Sequence, residues 1–109
     1  MTNIDQSKLR SVQFLLENNF SEAIKELDKV IEMDPADSVS WHNRGASKFN
    51  LDQFKEAIPD FDKAIELNPD DVNCLSLHAS AKRKLGDKEG ADEDDRKAEK
   101  LKKYGENYD

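Results

Sequence analysis

The chain is poor in the residues that punctuate or staple a fold. Its 109 residues include three prolines, four glycines, one tryptophan and one cysteine. A single cysteine, Cys74, excludes an internal disulfide and suits a reducing compartment. Scattered glycines exclude a glycine-rich phosphate loop, which needs several of them in one short stretch. No apolar run approaches the roughly 20 residues that a membrane-crossing helix requires. The start, from Met1 to Lys8, lacks a basic segment followed by an apolar one, so no secretory leader is expected there. Positive charge is also in deficit: 17 basic residues stand against 24 acidic ones, a net charge of −7. That balance argues against nucleic acid or an anionic membrane as partner, because both attract lysine and arginine. The expected compartment is the cytoplasm.

What is present is abundant charge, 38% of the residues, threaded by a regular apolar pattern. The pattern is that of packed helices with solvated outer faces rather than of a disordered coil. It is clearest from Trp41 to Pro69. Trp41, Gly45, Ala46 and Phe49 share one face of a first helix. Phe54, Ala57, Ile58, Phe61, Ala64, Ile65 and Leu67 share one face of a second, and Pro69 stops it. Gly45 and Ala57 are small, so the two helices can approach closely there. Pro59 falls inside the second helix among Lys55, Asp62 and Lys63. Those charges place it on the outer side, where water can serve the carbonyl that proline frees.

The pattern repeats at a fixed offset. Pro69 looks back to Pro35, Ala57 to Ala23, Phe54 to Phe20 and Asp62-Lys63 to Asp28-Lys29. Forward, Ala57 matches Ala91, Ala64 matches Ala98, Gly45 matches Ala79 and Trp41 matches Leu75. A helix–turn–helix unit with a period of about 34 residues, with Trp, Gly, Ala, aromatic, Ala and Pro in this order, resembles the tetratricopeptide repeat. The resemblance divides the chain into repeats 4–37, 38–71 and 72–105, with residues 1–3 and 106–109 as flexible termini. It implies an all-α superhelix of three tandem repeats and a protein-binding scaffold.

Caps follow from the polar residues between the apolar runs: Asn19 or Ser21 for the second helix, Asp37 or Ser38 for the third, Asp52 for the fourth and Asp87 for the sixth. Gly86 is a left-handed stop. The sixth helix departs from its predecessors. Asp95 stands where Leu27 and Phe61 stood, and Glu99 where Ile31 and Ile65 stood. A thin apolar strip of Ala91, Ala98 and Leu101 is what a terminal cap of a repeat array needs.

Chemistry-bearing groups are few. Cys74 and His78 are four apart on one helix face, but a structural metal site needs a second pair, so no metal and no cofactor is expected. Neither His42 nor His78 makes Cys74 a nucleophile, since no strand or oxyanion-holding loop is in view. The acids Asp92–Asp95 lack the spacing and the glycine of a calcium loop. No catalytic residues and no enzymatic activity are expected. Arg10, Arg44 and His78 occupy equivalent places on the first helices, and Glu26, Asp60 and Asp94 equivalent places on the second, which predicts a ladder of interhelical ion pairs.

The resemblance implies that the first helix of each repeat lines a concave groove. The candidate binding residues there are Lys8, Leu9, Val12, Val39, His42, Asn43, Phe49, Asn73, Leu77 and Arg83. Asn43 carries an amide able to hold a peptide backbone by two hydrogen bonds. Cochaperone members of the family clamp a terminal carboxylate with Lys and Asn from the first repeat, Asn from the second, and Lys and Arg from the third. This chain keeps Lys8 and Asn43, with Val12, Asn73 and Leu77 in the other three places. The expected function is an adaptor that binds a peptide segment or helix of a partner protein. The alternatives are a binder of acidic carboxyl-terminal tails through a degenerate clamp, using Lys8, Asn43 and Arg83, and a module that self-associates weakly.

Overall fold

Three residues with positive φ set the course of the backbone: Asn18 at 57°, Asp52 at 61° and Gly86 at 86°. They recur at the interval of the sequence pattern, each in the short turn between the two helices of a pair. Left-handed backbone reverses the chain in few residues, at a steric cost that glycine alone avoids. The structure, a computed structural model, describes residues 2–106. It contains α1 (Asn3–Leu16), α2 (Phe20–Met33), α3 (Ser38–Asn50), α4 (Phe54–Leu67), α5 (Val72–Lys84) and α6 (Lys88–Glu106), with no strand among the described residues.

The turns between pairs obey a different rule. Asp34 and Asn68 precede Pro35 and Pro69 and take φ/ψ of −144/82 and −141/85. The proline ring forbids helical backbone to the residue before it, so α2 and α4 end where the sequence predicts. Pro59 is exposed within α4, as its charged neighbours suggest.

Several caps differ from expectation. Asp52 does not cap α4; it is the left-handed turn residue, and Gln53 holds the cap position without a side-chain bond. Asn19 sits at the start of α2, also without one. Asp37 precedes α3, but its carboxylate accepts from the Ser40 hydroxyl at 2.7 Å rather than from the helix backbone. Asp87 does accept from the Gly90 N–H at 2.9 Å. At the start of the chain, Thr2 and Asp5 form a reciprocal capping box and Asn3 is already helical. At the other end α6 runs through Glu106; of the termini expected to be flexible, Met1 and residues 107–109 lie outside the described residues.

Each helix packs on the next, and α3 also meets α5, so the first helices of the second and third pairs lie side by side. The array measures 39 × 37 × 23 Å. Ala23, Leu27, Val30, Ala57, Phe61, Ala64, Leu75 and Ala79 form the buried interior. Gly45 marks the closest approach of α3 to α4: a Cβ built there would lie 2.7 Å from the Phe61 ring. Trp41 is half-buried rather than fully buried. Its indole N–H donates to the Pro35 carbonyl at 2.8 Å and the Arg44 guanidinium lies 5.0 Å over its ring, so it ties α3 to the preceding turn as well as to the core.

Candidate partner-binding face

The polar ladder forms on all three pairs and reaches further than pairwise contacts. Arg10 Nε donates to Glu26 at 3.2 Å. Arg44 donates to both oxygens of Asp60, at 3.0 and 2.8 Å, and its remaining nitrogen to Asp28 on α2 at 2.9 Å. Lys48 adds a contact of 2.9 Å to Asp60. Asp60 is buried, so these cations replace the water it has given up. Burial pulls the Arg44 guanidinium down, but its bonds and charge pairing with Asp60 and Asp28 outweigh that and hold it above its ordinary value. On the first rung, burial pushes the Glu26 carboxyl up, while the Lys29 bond and the Arg10 charge more than reverse it, leaving it below the usual range.

His78 repeats the arrangement one pair later. Its Nε2 lies 2.8 Å from Asp62 on α4 and its Nδ1 2.7 Å from Asp94 on α6, with Lys82 on Asp94 at 3.2 Å. Neither ring nitrogen is aligned for a hydrogen bond. The rung is a close approach of imidazole and carboxylates, whereas Arg44 makes directed bonds. Asp28 and Asp62, which bring in the preceding pair, hold equivalent places in successive repeats. Their recurrence was visible in the sequence, but what they face was not.

The first-helix side carries a hollow of about 280 Å³ between α1 and α3, lined by Lys8, Ser11, Val12, Leu27, Asp37, Val39, Ser40 and Asn43. It gathers four of the ten candidate residues: Lys8, Val12, Val39 and Asn43. Leu9, Val12 and Val39 are 60%, 48% and 61% exposed. Asp37 and Ser40 escaped sequence reasoning, and Asp37 changes the electrostatics, because Lys8 Nζ lies 3.4 Å from its carboxylate.

The remaining candidates have neighbours of their own. Arg83 bonds to Asp92 at 3.2 Å and to Asp95, and the Asp95 and Asp92 bonds raise its guanidinium above its ordinary value. His42 Nδ1 contacts Asp71 at 2.7 Å. The Phe49 ring meets Phe54 edge-on at 5.1 Å, and Leu77 packs half-buried against the core. Asn73 is exposed. Two wider hollows on α6 are lined by charged residues and Gly90, with no apolar side chain to anchor a ligand. No described helix is long and apolar enough to cross a membrane.

Comparison with known proteins agrees with this geometry. Models of the tetratricopeptide repeat match residues 14–37 and 38–71. No curated protein sequence matches. Among solved structures, the TPR2B domain of yeast Sti1 in complex with pHsp70 superposes with a TM-score of 0.89 at 25% identity, over 98% of this chain and 86% of that one. The second such domain of Spaghetti (RPAP3), bound to the HSP90 peptide SRMEEVD, gives 0.86 at 23% identity, over 92% and 93%. MamA from MSR-1 gives 0.88 at 24% identity over 94% of this chain, which spans 59% of the MamA chain. Repeats of this kind are in general interaction modules rather than enzymes. Six helices in pairs, turns and ladder acids recurring at one common interval and these matches together make the chain a member of the tetratricopeptide repeat family.

Proposed function

We propose that the chain is a small adaptor that holds a peptide segment or helix of a partner protein across the faces of α1, α3 and α5. The observation that carries this reading is the exposure of Leu9, Val12 and Val39 around the hollow reached by Asn43. Apolar side chains left in water on one face mark an interaction surface, and the Asn43 amide can fix a backbone by two hydrogen bonds. Affinity comes mainly from the apolar anchors. Since Lys8 is already engaged by Asp37, binding is only modestly sensitive to salt. The partner shares a reducing compartment, most simply the cytoplasm, and the adaptor performs no chemistry on it. The test is the double variant Val12→Asp with Asn43→Ala. It should lose the proteins that the immobilised wild type captures from lysate while keeping its helical circular dichroism. Capture unchanged by the double variant rejects this face as the site.

A second reading, capture of acidic carboxyl-terminal tails, is favoured by the chaperone ligands named with Sti1 and RPAP3. Three residues weigh against it: Asn73 and Leu77 supply no charge at the clamp's cationic places, and Val12 supplies no amide at its asparagine place. The two cations that remain, Lys8 and Arg83, are each paired within the chain. Charge-assisted bonds are the strong part of such a clamp. The peptide SRMEEVD should therefore bind no better as free acid than as amide. A tenfold preference for the acid, about 1.4 kcal/mol, would reverse the order of the two readings. Sedimentation velocity tests the third, weak self-association.

A further inference from the structure

We propose that His42, Asp71 and Cys74 bind Zn²⁺ at the joint between the second and third repeats. His42 comes from α3, Asp71 from the residue before α5 and Cys74 from the first turn of α5. The imidazole nitrogen, a carboxylate oxygen and the sulfur lie within 4.8 Å of one another. A tetrahedral zinc holds such ligands at about 2.0–2.3 Å, hence some 3–4 Å apart, so side-chain rotation of about an ångström closes the set. One nitrogen, one oxygen and one sulfur are ligand types zinc accepts together, with a fourth place left to water.

The two oxygens of Asp71 divide the work. Oδ1 accepts from the Cys74 N–H at 3.1 Å and so fixes the carboxylate against the start of α5. Oδ2 faces His42 Nδ1 at 2.7 Å and turns to the cation as the ion takes the place of that contact. Cys74 lies at the inner end, fully buried, its sulfur 3.8 Å from the Phe61 carbonyl. His42 and Asp71 are partly exposed, with side-chain accessibilities of 20% and 25%, so the ion enters from their side.

The Asp71 carboxylate supplies negative charge beside the site, and a bound cation stabilises the Cys74 thiolate. Binding replaces the S–H bond by a zinc–sulfur bond and releases that one proton to solvent. Nδ1 binds the metal through its lone pair, so the hydrogen it shares with Asp71 Oδ2 moves to Nε2.

Cobalt(II) is the probe, because a thiolate ligand gives it a charge-transfer band in the near ultraviolet. The full chain, stripped with chelator, is titrated with Co²⁺ alone and then with Zn²⁺ in competition. The expected result is one Co²⁺ per chain with the sulfur band, displaced by Zn²⁺. Calorimetry in two buffers should read about one proton released per Zn²⁺. Cys74→Ser should abolish the band and weaken Zn²⁺ at least tenfold, and His42→Asn, at a partly exposed position, should weaken it similarly while keeping the helical circular dichroism. Absence of the sulfur band, or equal Zn²⁺ affinity in wild type and both variants, overturns the site. Neither result bears on the peptide-binding reading, whose variants lie at Val12 and Asn43.

Discussion

The second and third helix pairs follow one backbone plan with different fillings. Both turn on a left-handed residue, Asp52 or Gly86. Both bring a small residue, Gly45 or Ala79, against the partner helix, and both bury an acid, Asp60 or Asp94, beside a base. Yet α4 buries Phe61 with Ala57 and Ala64, whereas α6 buries Ala91, Ala98 and Asp94. The difference separates what sets the course of a repeat from what makes it stable. Turns, small residues and one buried polar contact suffice for the course. Large apolar side chains are needed where further helices must be held, and α6 packs chiefly on α5.

Exchanging the fillings gives the largest effect. Phe61→Ala should cost about 3–5 kcal/mol, enough to unfold a domain of ordinary stability or nearly so. Asp95→Ala, at the equivalent place in α6, should change stability by about 0–1 kcal/mol, since it loses only an exposed pair with Arg83. Similar thermal shifts for the two variants would break the comparison.

The ladder sharpens it next. Arg44→Gln leaves Asp60 buried with Lys48 as its remaining cation, and should cost about 3 kcal/mol in urea unfolding. Arg10→Gln removes a bond from a half-exposed side chain and should cost about 1 kcal/mol or less. Equal midpoints would mean that burial of the acid does not grade the rungs.

The turns should respond by less, and in opposite directions. Asp52→Gly relieves a left-handed non-glycine residue and should stabilise by about 0.5–1 kcal/mol, while Gly86→Ala should destabilise by a similar amount. Melting temperatures that move the same way in both variants would show that these turns differ in more than their φ angles.

Acid titration gives the smallest effect. The Glu26 carboxyl lies below its ordinary value in the folded chain, so the unfolded chain binds its proton first as pH falls. The stability Glu26 contributes is present above its unfolded value, 4.5, and is lost as pH drops through the lower folded value. Glu26→Gln should therefore flatten the acid limb of a stability–pH curve below about pH 4.5. An unchanged limb would leave the first rung without an electrostatic role.

The architecture was legible because it is periodic. One fixed offset carries prolines, alanines and ladder acids together, and periodicity survives errors at any one position. The pairs Arg10–Glu26, Arg44–Asp60 and His78–Asp94 could be named for the same reason. Details set by one local geometry were not legible. An aspartate before a helix reads as a cap, yet Asp52 spends its position on the turn. Lys8 reads as a free groove cation until Asp37, on another helix pair, is seen beside it. Cys74 suggested His78, four residues on along one helix, whereas the fold brings it to His42 and Asp71. Such encounters depend on how two helices cross, which apolar spacing does not encode.

The bond from Arg44 back to Asp28, and the contact from His78 back to Asp62, mean that neither of these repeats completes its own polar network. Each borrows an acid from its predecessor, and the middle repeat lends one to its successor. A tandem duplication of residues 38–71 would therefore arrive with its joints already matched. The incoming arginine would find the aspartate of the copy before it, and the incoming aspartate would meet the base of the copy after it. Length could change by whole units without any compensating substitution at the seams, so the borrowed acid acts as a standard coupling by which such an array is extended or shortened.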